Sequence, residues 1–140
     1  MYKRLGIGLL ASAGFSASSF AALVNASFEE PAIAAGTYAG VTIPGWHSSS
    51  GSQGVFHLPY AGLWAGAAPD GVQIGYSYTA VMAQQSTDVI GVGTHTLSAY
   101  GGRRGDAFSS SFTMEMWAGG TESAGSVTGG TLLASVVYNQ

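Results

Sequence analysis

The chain has no cysteine. Disulfides, which staple many small exported domains, are therefore excluded. A thiolate-held zinc site goes with them. Charge is scarce too, with Asp, Glu, Lys and Arg making up 8% of the 140 residues. Basic residues are the rarest, and two of the four, Lys3 and Arg4, sit at the extreme N-terminus. Beyond residue 22, the two arginines Arg103 and Arg104 face seven acids, which leaves a formal charge of −5. Proteins grip nucleic acid by neutralising phosphates with Lys and Arg, so this composition argues against a nucleic-acid partner. Helix-forming runs are also wanting, while glycine is plentiful at 22 residues. A chain of this length predicts one domain.

The N-terminus has its own pattern. Met1-Tyr2-Lys3-Arg4 is a short positive region, and Leu5 to Phe20 is uncharged and rich in Gly, Ala and Ser. Small residues follow at Ser19, Ala21 and Ala22. That order is the one read by a signal peptidase. The stretch is weaker than the roughly 20 strongly apolar residues a membrane span needs, which makes a retained anchor the lesser reading. The expected organisation is a signal peptide over 1–22 and one domain over 23–140, secreted or held at the bacterial cell surface. The membrane would then be met only through the export signal.

The remainder predicts β structure. Short runs at Leu23–Phe28, Val41–Trp46, Gly54–Leu58, Val72–Ser77, Tyr78–Gln84, His95–Gly101, Ser111–Ala118 and Leu132–Tyr138 are separated by turn residues. Several alternate with a period of two, which places Phe112, Met114 and Met116 on one face and Thr113, Glu115 and Trp117 on the other. The same alternation, with Phe28 and Leu97, predicts the inward faces. Many short strands between turns point to a β-sandwich or jelly roll. Gly119–Gly130 reads as a flexible hairpin connection between the last two strands, rather than a domain linker. Because a strand ends at Gln140, the fold is expected to lack its last strand or strands, with the sequence a fragment of a longer protein.

Catalytic constellations are hard to assemble. His47, His57 and His95 show no metal-ligand spacing, and no Gly-x-Ser-x-Gly elbow occurs. Glu29 and Glu30 are adjacent on an extended segment and point apart, and Asp70, Asp88 and Asp106 fall in turns. A glycosidase pair facing across a sugar is therefore not expected. Aromatic residues are the better candidates. Trp46, Phe56, Tyr60 and Trp64 lie in the loop-rich first half with His47 and His57 beside them. Sugar rings stack their C–H faces on such side chains. Trp46, after Pro44-Gly45, is expected in the core, whereas Tyr60 and Trp64 are expected in a binding loop. Arg103 offers a planar donor fork to a glycan, although pairing of the two arginines with Asp106 or Glu115 is the stronger expectation.

Several motifs occur in a telling order. Leu23-Val24-Asn25-Ala26-Ser27-Phe28-Glu29-Glu30-Pro31 comes first, then Ile43-Pro44-Gly45-Trp46 and Pro69-Asp70-Gly71-Val72-Gln73. Gly101-Gly102-Arg103-Arg104 and Met116-Trp117-Ala118-Gly119-Gly120 follow. Together they resemble the galactose-binding-like jelly-roll domains of secreted bacterial proteins, in the DUF642-like and PEP-CTERM-associated groups. Ala26 stands where those families have glycine, and no C-terminal sorting tail is present in this sequence. The resemblance implies a non-catalytic extracellular module that binds a polysaccharide or glycan, with Tyr60, Trp64, His57 and Arg103 as its candidate contacts. It also points to calcium at Glu29, since calcium prefers oxygen ligands. A structural protein of the envelope or extracellular matrix, with no small ligand, is the alternative. A hydrolase ranks last.

Overall fold

A computed structural model describes residues 3–9, 23–49, 53–61, 63, 66–78, 81–86, 94–102, 105–106 and 111–139. The described residues contain eleven strands and no helix, and all strand pairs are antiparallel. The chain is all-β, as a β-sandwich requires.

Strand β4 (Gln53–His57) lies between β2 (Tyr38–Ala39) and β5 (Gln73–Ser77). Its first four residues are all buried, because both of its faces are covered. Period two puts Gln53 and Val55 on one face and Gly54 and Phe56 on the other. Register places Tyr38 opposite Phe56 on one side, with Ile74 opposite Phe56 and Tyr76 opposite Gly54 on the other. Gly54 is required here. A Cβ at that position would collide with the Ala39 carbonyl and press on the Tyr76 hydroxyl.

The Val55 face is covered by the N-terminal loop. The Phe28 ring lies on Gly75, where any Cβ would strike it, and Trp46 packs on Phe28 with centroids 5.2 Å apart. Gln73 ties this loop to β5. Its Oε1 accepts from the Ile33 amide at 2.9 Å, and its Nε2 donates to the Phe28 and Pro31 carbonyls at 2.7 and 3.2 Å. Glu29 adds a second tie, its Oε1 accepting from the Val72 and Gln73 amides, both at 2.8 Å.

Strands β8 (Ser111–Ala118) and β11 (Thr131–Asn139) form the longest ribbon. Phe112 stacks on buried Tyr138 at 4.9 Å, and a bulge between Leu132 and Ala134 shifts the register near Trp117. The Phe112 ring also lies against Gly101 of β7 (His95–Gly101). The backbone of β1 (Lys3–Leu9), within the expected leader, pairs along β7 with Leu5 opposite Ala99. Two short pairs remain, β3 (His47–Ser48) with β6 (Met82–Ala83), and β9 (Thr121–Ser123) with β10 (Ser126–Thr128).

The expected β7 and β8 coincide with the observed strands, but three segments differ. Leu23–Phe28 is a turn, with Asn25 and Phe28 at φ 50° and 64°. The Asn25 side chain causes this by bonding the Glu30 amide and carbonyl at 3.0 and 2.7 Å, closing a local ring that competes with a strand. Val41–Trp46 is broken by the turn at Pro44-Gly45, and among the described residues of Tyr78–Gln84 only Met82–Ala83 is strand. Gly119–Gly130 forms the expected hairpin connection, β9 pairing with β10, and Gly119, Gly120, Gly125 and Gly129 take the positive φ its turns need. The buried apolar side chains are Ile43, Val55, Phe56, Leu58 and Tyr138. Leu97, Phe112, Met114 and Met116 alternate as expected but are only half-buried, and Phe28 is half-buried at the end of the turn, outside any alternating strand.

Candidate functional site

Five aromatic rings gather on the Phe56 face of the β2–β4–β5 sheet. Phe56 is the hub, 3% exposed. Tyr38, Tyr60 and Tyr76 surround it with centroids 5.6, 5.1 and 4.9 Å away. Tyr78 extends the row beyond Tyr76 at 5.2 Å. The inter-ring tilts of 33–83° are the offset and edge-to-face arrangements that aromatic quadrupoles favour. Tyr38 and Tyr78 are 58% and 44% exposed, so the rim of the cluster presents ring faces and hydroxyls to solvent. A shallow recess of about 280 Å³ lies among these rings and Leu63. The loop that carries Tyr60 is held by the Leu63 amide donating to the Tyr60 carbonyl at 3.2 Å, and by Gly105 donating to the Leu63 carbonyl at 3.0 Å.

Burial of the Tyr76 phenol, followed by charge repulsion from Tyr78 and Tyr38, raises its pKa above the ordinary 10.0. The folded protein therefore holds this proton more tightly than the unfolded chain does. The resulting stability is fully present below pH 10.0 and is lost as pH climbs through the raised folded value. Urea midpoints measured on both sides of pH 10.0 should show the fall, and Tyr76→Phe should make it shallower. An identical alkaline fall in the variant would remove Tyr76 as its source.

A second recess, of about 540 Å³, lies on the other side of β4. Trp46, His47, Gln53 and Glu122 line it with Thr42 and Ser48. The His47 Nδ1–H donates to the Glu122 carboxylate, joining β3 to the β9–β10 hairpin. His47 is 62% exposed on its side chain, whereas the Glu122 side chain is 4% exposed. Glu122 Oε1 also accepts from the Gly125 amide at 2.7 Å, and Gln85 Oε1 accepts from the Glu122 amide at 3.1 Å. The hairpin tip is close-packed, since a Cβ on Gly125 would meet the Ser49 amide and the Val81 carbonyl, each 2.8 Å away.

The structure distributes the expected site residues unevenly. Tyr60 is part of the aromatic face. His57 is not, because it projects from the opposite face of β4 and its Nδ1 bonds the Ile33 carbonyl at 2.9 Å. Trp64 and Arg103 lie outside the described residues. Trp46, expected in the core, is half-buried instead, packing on Phe28 and donating its Nε1–H to the Asn25 carbonyl at 3.3 Å. Glu29, the calcium candidate, spends Oε1 on two backbone amides, and no three His, Asp or Glu side chains converge among the described residues. Tyr76 and Tyr78 carry a readable signal in the alternating Tyr76-Ser77-Tyr78 run, whereas Tyr38 carries none of its own. Glu122 carried no such signal, being a lone acid in a glycine-rich stretch 75 residues from its partner.

The class defined so far is an all-β chain with a partly exposed aromatic face on a short antiparallel sheet. Residues 20–137 match the HpiC1-like family model, described as HpiC1 cyclase, and the chain belongs to that family. No curated protein and no solved structure matches it.

Proposed function

We propose that this chain is an extracytoplasmic, non-catalytic module that binds a saccharide on the aromatic face. The carrying observation is the row Tyr38, Tyr60, Tyr76 and Tyr78 around buried Phe56, with the outer rings exposed. Ring faces take the apolar side of a sugar, and the phenol hydroxyls donate and accept at its edge. The leader pattern, a short positive region at Lys3-Arg4 followed by an uncharged stretch, supports export.

Affinity electrophoresis through gels loaded with different polysaccharides tests this reading. The wild type should be retarded by at least one of them. Tyr38→Ala should abolish the retardation with little change in unfolding midpoint, because the ring is 58% exposed. A single face of this kind implies weak affinity, roughly millimolar to micromolar. If no polysaccharide retards the folded protein, the structural-protein reading replaces this one.

Family membership favours a second reading, in which the chain is an enzyme that closes a ring within its substrate. The same apolar recess would fold an apolar chain back on itself. Under this reading an aryl or polyene compound, rather than a sugar, would protect the Tyr38 and Tyr60 rings from solvent.

A further inference from the structure

We propose that Asp70-Gly71 is a self-modification site, at which the main chain rearranges through a cyclic imide to an isoaspartyl linkage. Neither the aromatic face nor any ligand is involved.

The bend that leads into β5 is loose on one side and pinned on the other. Asp70 and Gly71 are both exposed, and among the described residues neither the Asp70 carboxyl nor the Gly71 amide has a hydrogen-bond partner. From Val72 onward the chain is fixed. The Val72 and Gln73 amides donate to Glu29 Oε1, both at 2.8 Å, and the Val72 carbonyl accepts from the Leu58 amide at 2.9 Å. Gly71 itself stands at φ 68°, with the Glu29 carboxylate in the space a Cβ would fill. Both the conformation and the contact require glycine.

The chemistry favours glycine as well. With no Cβ on residue 71, nothing on that residue shields its amide nitrogen from the Asp70 side chain. Attack of this nitrogen on Asp70 Cγ forms an N–Cγ bond. The Cγ–OH bond of the protonated carboxyl breaks, and the hydroxyl leaves as water with the amide proton. Water then opens the imide at one of its two carbonyls. Opening at Cγ restores aspartate. Opening at the Asp70 main-chain carbonyl breaks the original peptide C–N bond, so the chain now runs through Cβ and Cγ and leaves a free α-carboxylate. Water is the only co-reactant, and the mass is unchanged overall. The added main-chain atom enters the unpinned bend, ahead of the Glu29 clamp. The other two aspartates, Asp88 and Asp106, precede Val89 and Ala107, whose Cβ atoms crowd the same attack.

The test holds the full folded chain in heavy-oxygen water at neutral pH for several weeks, followed by peptide mapping. Each imide opening places a solvent oxygen on residue 70. The Asp70 peptide should therefore gain label, and a growing fraction of it should become a substrate for methylation of the isoaspartyl α-carboxylate. Asp88 and Asp106 should do neither. Asp70→Glu, which needs a larger ring, should lose both signals. Asp70→Asn should reach the same product faster, expelling ammonia in place of water. The folded chain and the chain unfolded in urea should label within about tenfold of each other, whereas a reaction that required global unfolding would be slowed at least about a thousandfold by the fold. Label entering residue 70 only in urea would overturn the proposal, because the folded bend would then block the attack. Equal labelling of Asp88 and Asp106 would also overturn it, since the following glycine would then not select the site.

Discussion

Replacing Gln73 by leucine should be among the most damaging single changes to this protein. Gln73 is 2% exposed, and its side chain serves the Ile33 amide and the Phe28 and Pro31 carbonyls. Leucine fills similar space but leaves one donor and two acceptors without partners. An unsatisfied buried group costs about 1–3 kcal/mol, so the expected total is about 3 kcal/mol or more. The damage should spread. The loop tied down by Gln73 also carries Phe28, which covers Gly75, and Glu29, which caps the Val72 and Gln73 amides. Urea unfolding gives the stability change, and hydrogen exchange at the Ile33 amide gives its location. A loss below about 1 kcal/mol with Ile33 still protected would mean that the loop is held by other contacts.

Phe56→Ala should cost about 3–5 kcal/mol, the usual range for removing a buried phenylalanine ring. Phe56 is 3% exposed and touches Tyr38, Tyr60 and Tyr76 at once. Its loss leaves a cavity under three rings that have no other common support, so the aromatic face should lose its shape together with its stability. Near-ultraviolet circular dichroism would report the tyrosine environment, and denaturant titration the energy. A variant with wild-type aromatic ellipticity would show that the surrounding tyrosines support one another without the hub.

The sequence revealed strands where alternation alone decides the outcome. His95–Gly101 and Ser111–Ala118 have clean period-two patterns and no side chain that competes for the backbone, and both form as expected. Leu23–Phe28 has comparable apolar character, yet Asn25 closes a side-chain ring on Glu30 and turns the chain instead. That bond depends on a residue five positions away and leaves no mark on hydrophobic periodicity. The candidate site was visible in kind, through the aromatics of the first half, but not in membership. Tyr60 was foreseen and stands in the cluster, whereas His57 is turned to the other face of β4 by strand parity and held at the Ile33 carbonyl. Tyr38, Tyr76 and Tyr78 join only through the β2–β4–β5 register, which pairs residues up to 20 or more positions apart. The meeting of His47 with Glu122 is longer in range still, across 75 residues, and no local pattern in the sequence marks it.

The most direct test of the saccharide-binding function is to label the tyrosine rings with 13C and titrate the protein with oligosaccharides cut from a retarding polysaccharide. Binding on the aromatic face predicts that the Tyr38 and Tyr60 ring resonances shift together and saturate with one dissociation constant, and that Tyr100, exposed on β7, stays unmoved. Saturable binding that leaves the Tyr38 and Tyr60 rings unperturbed would contradict it.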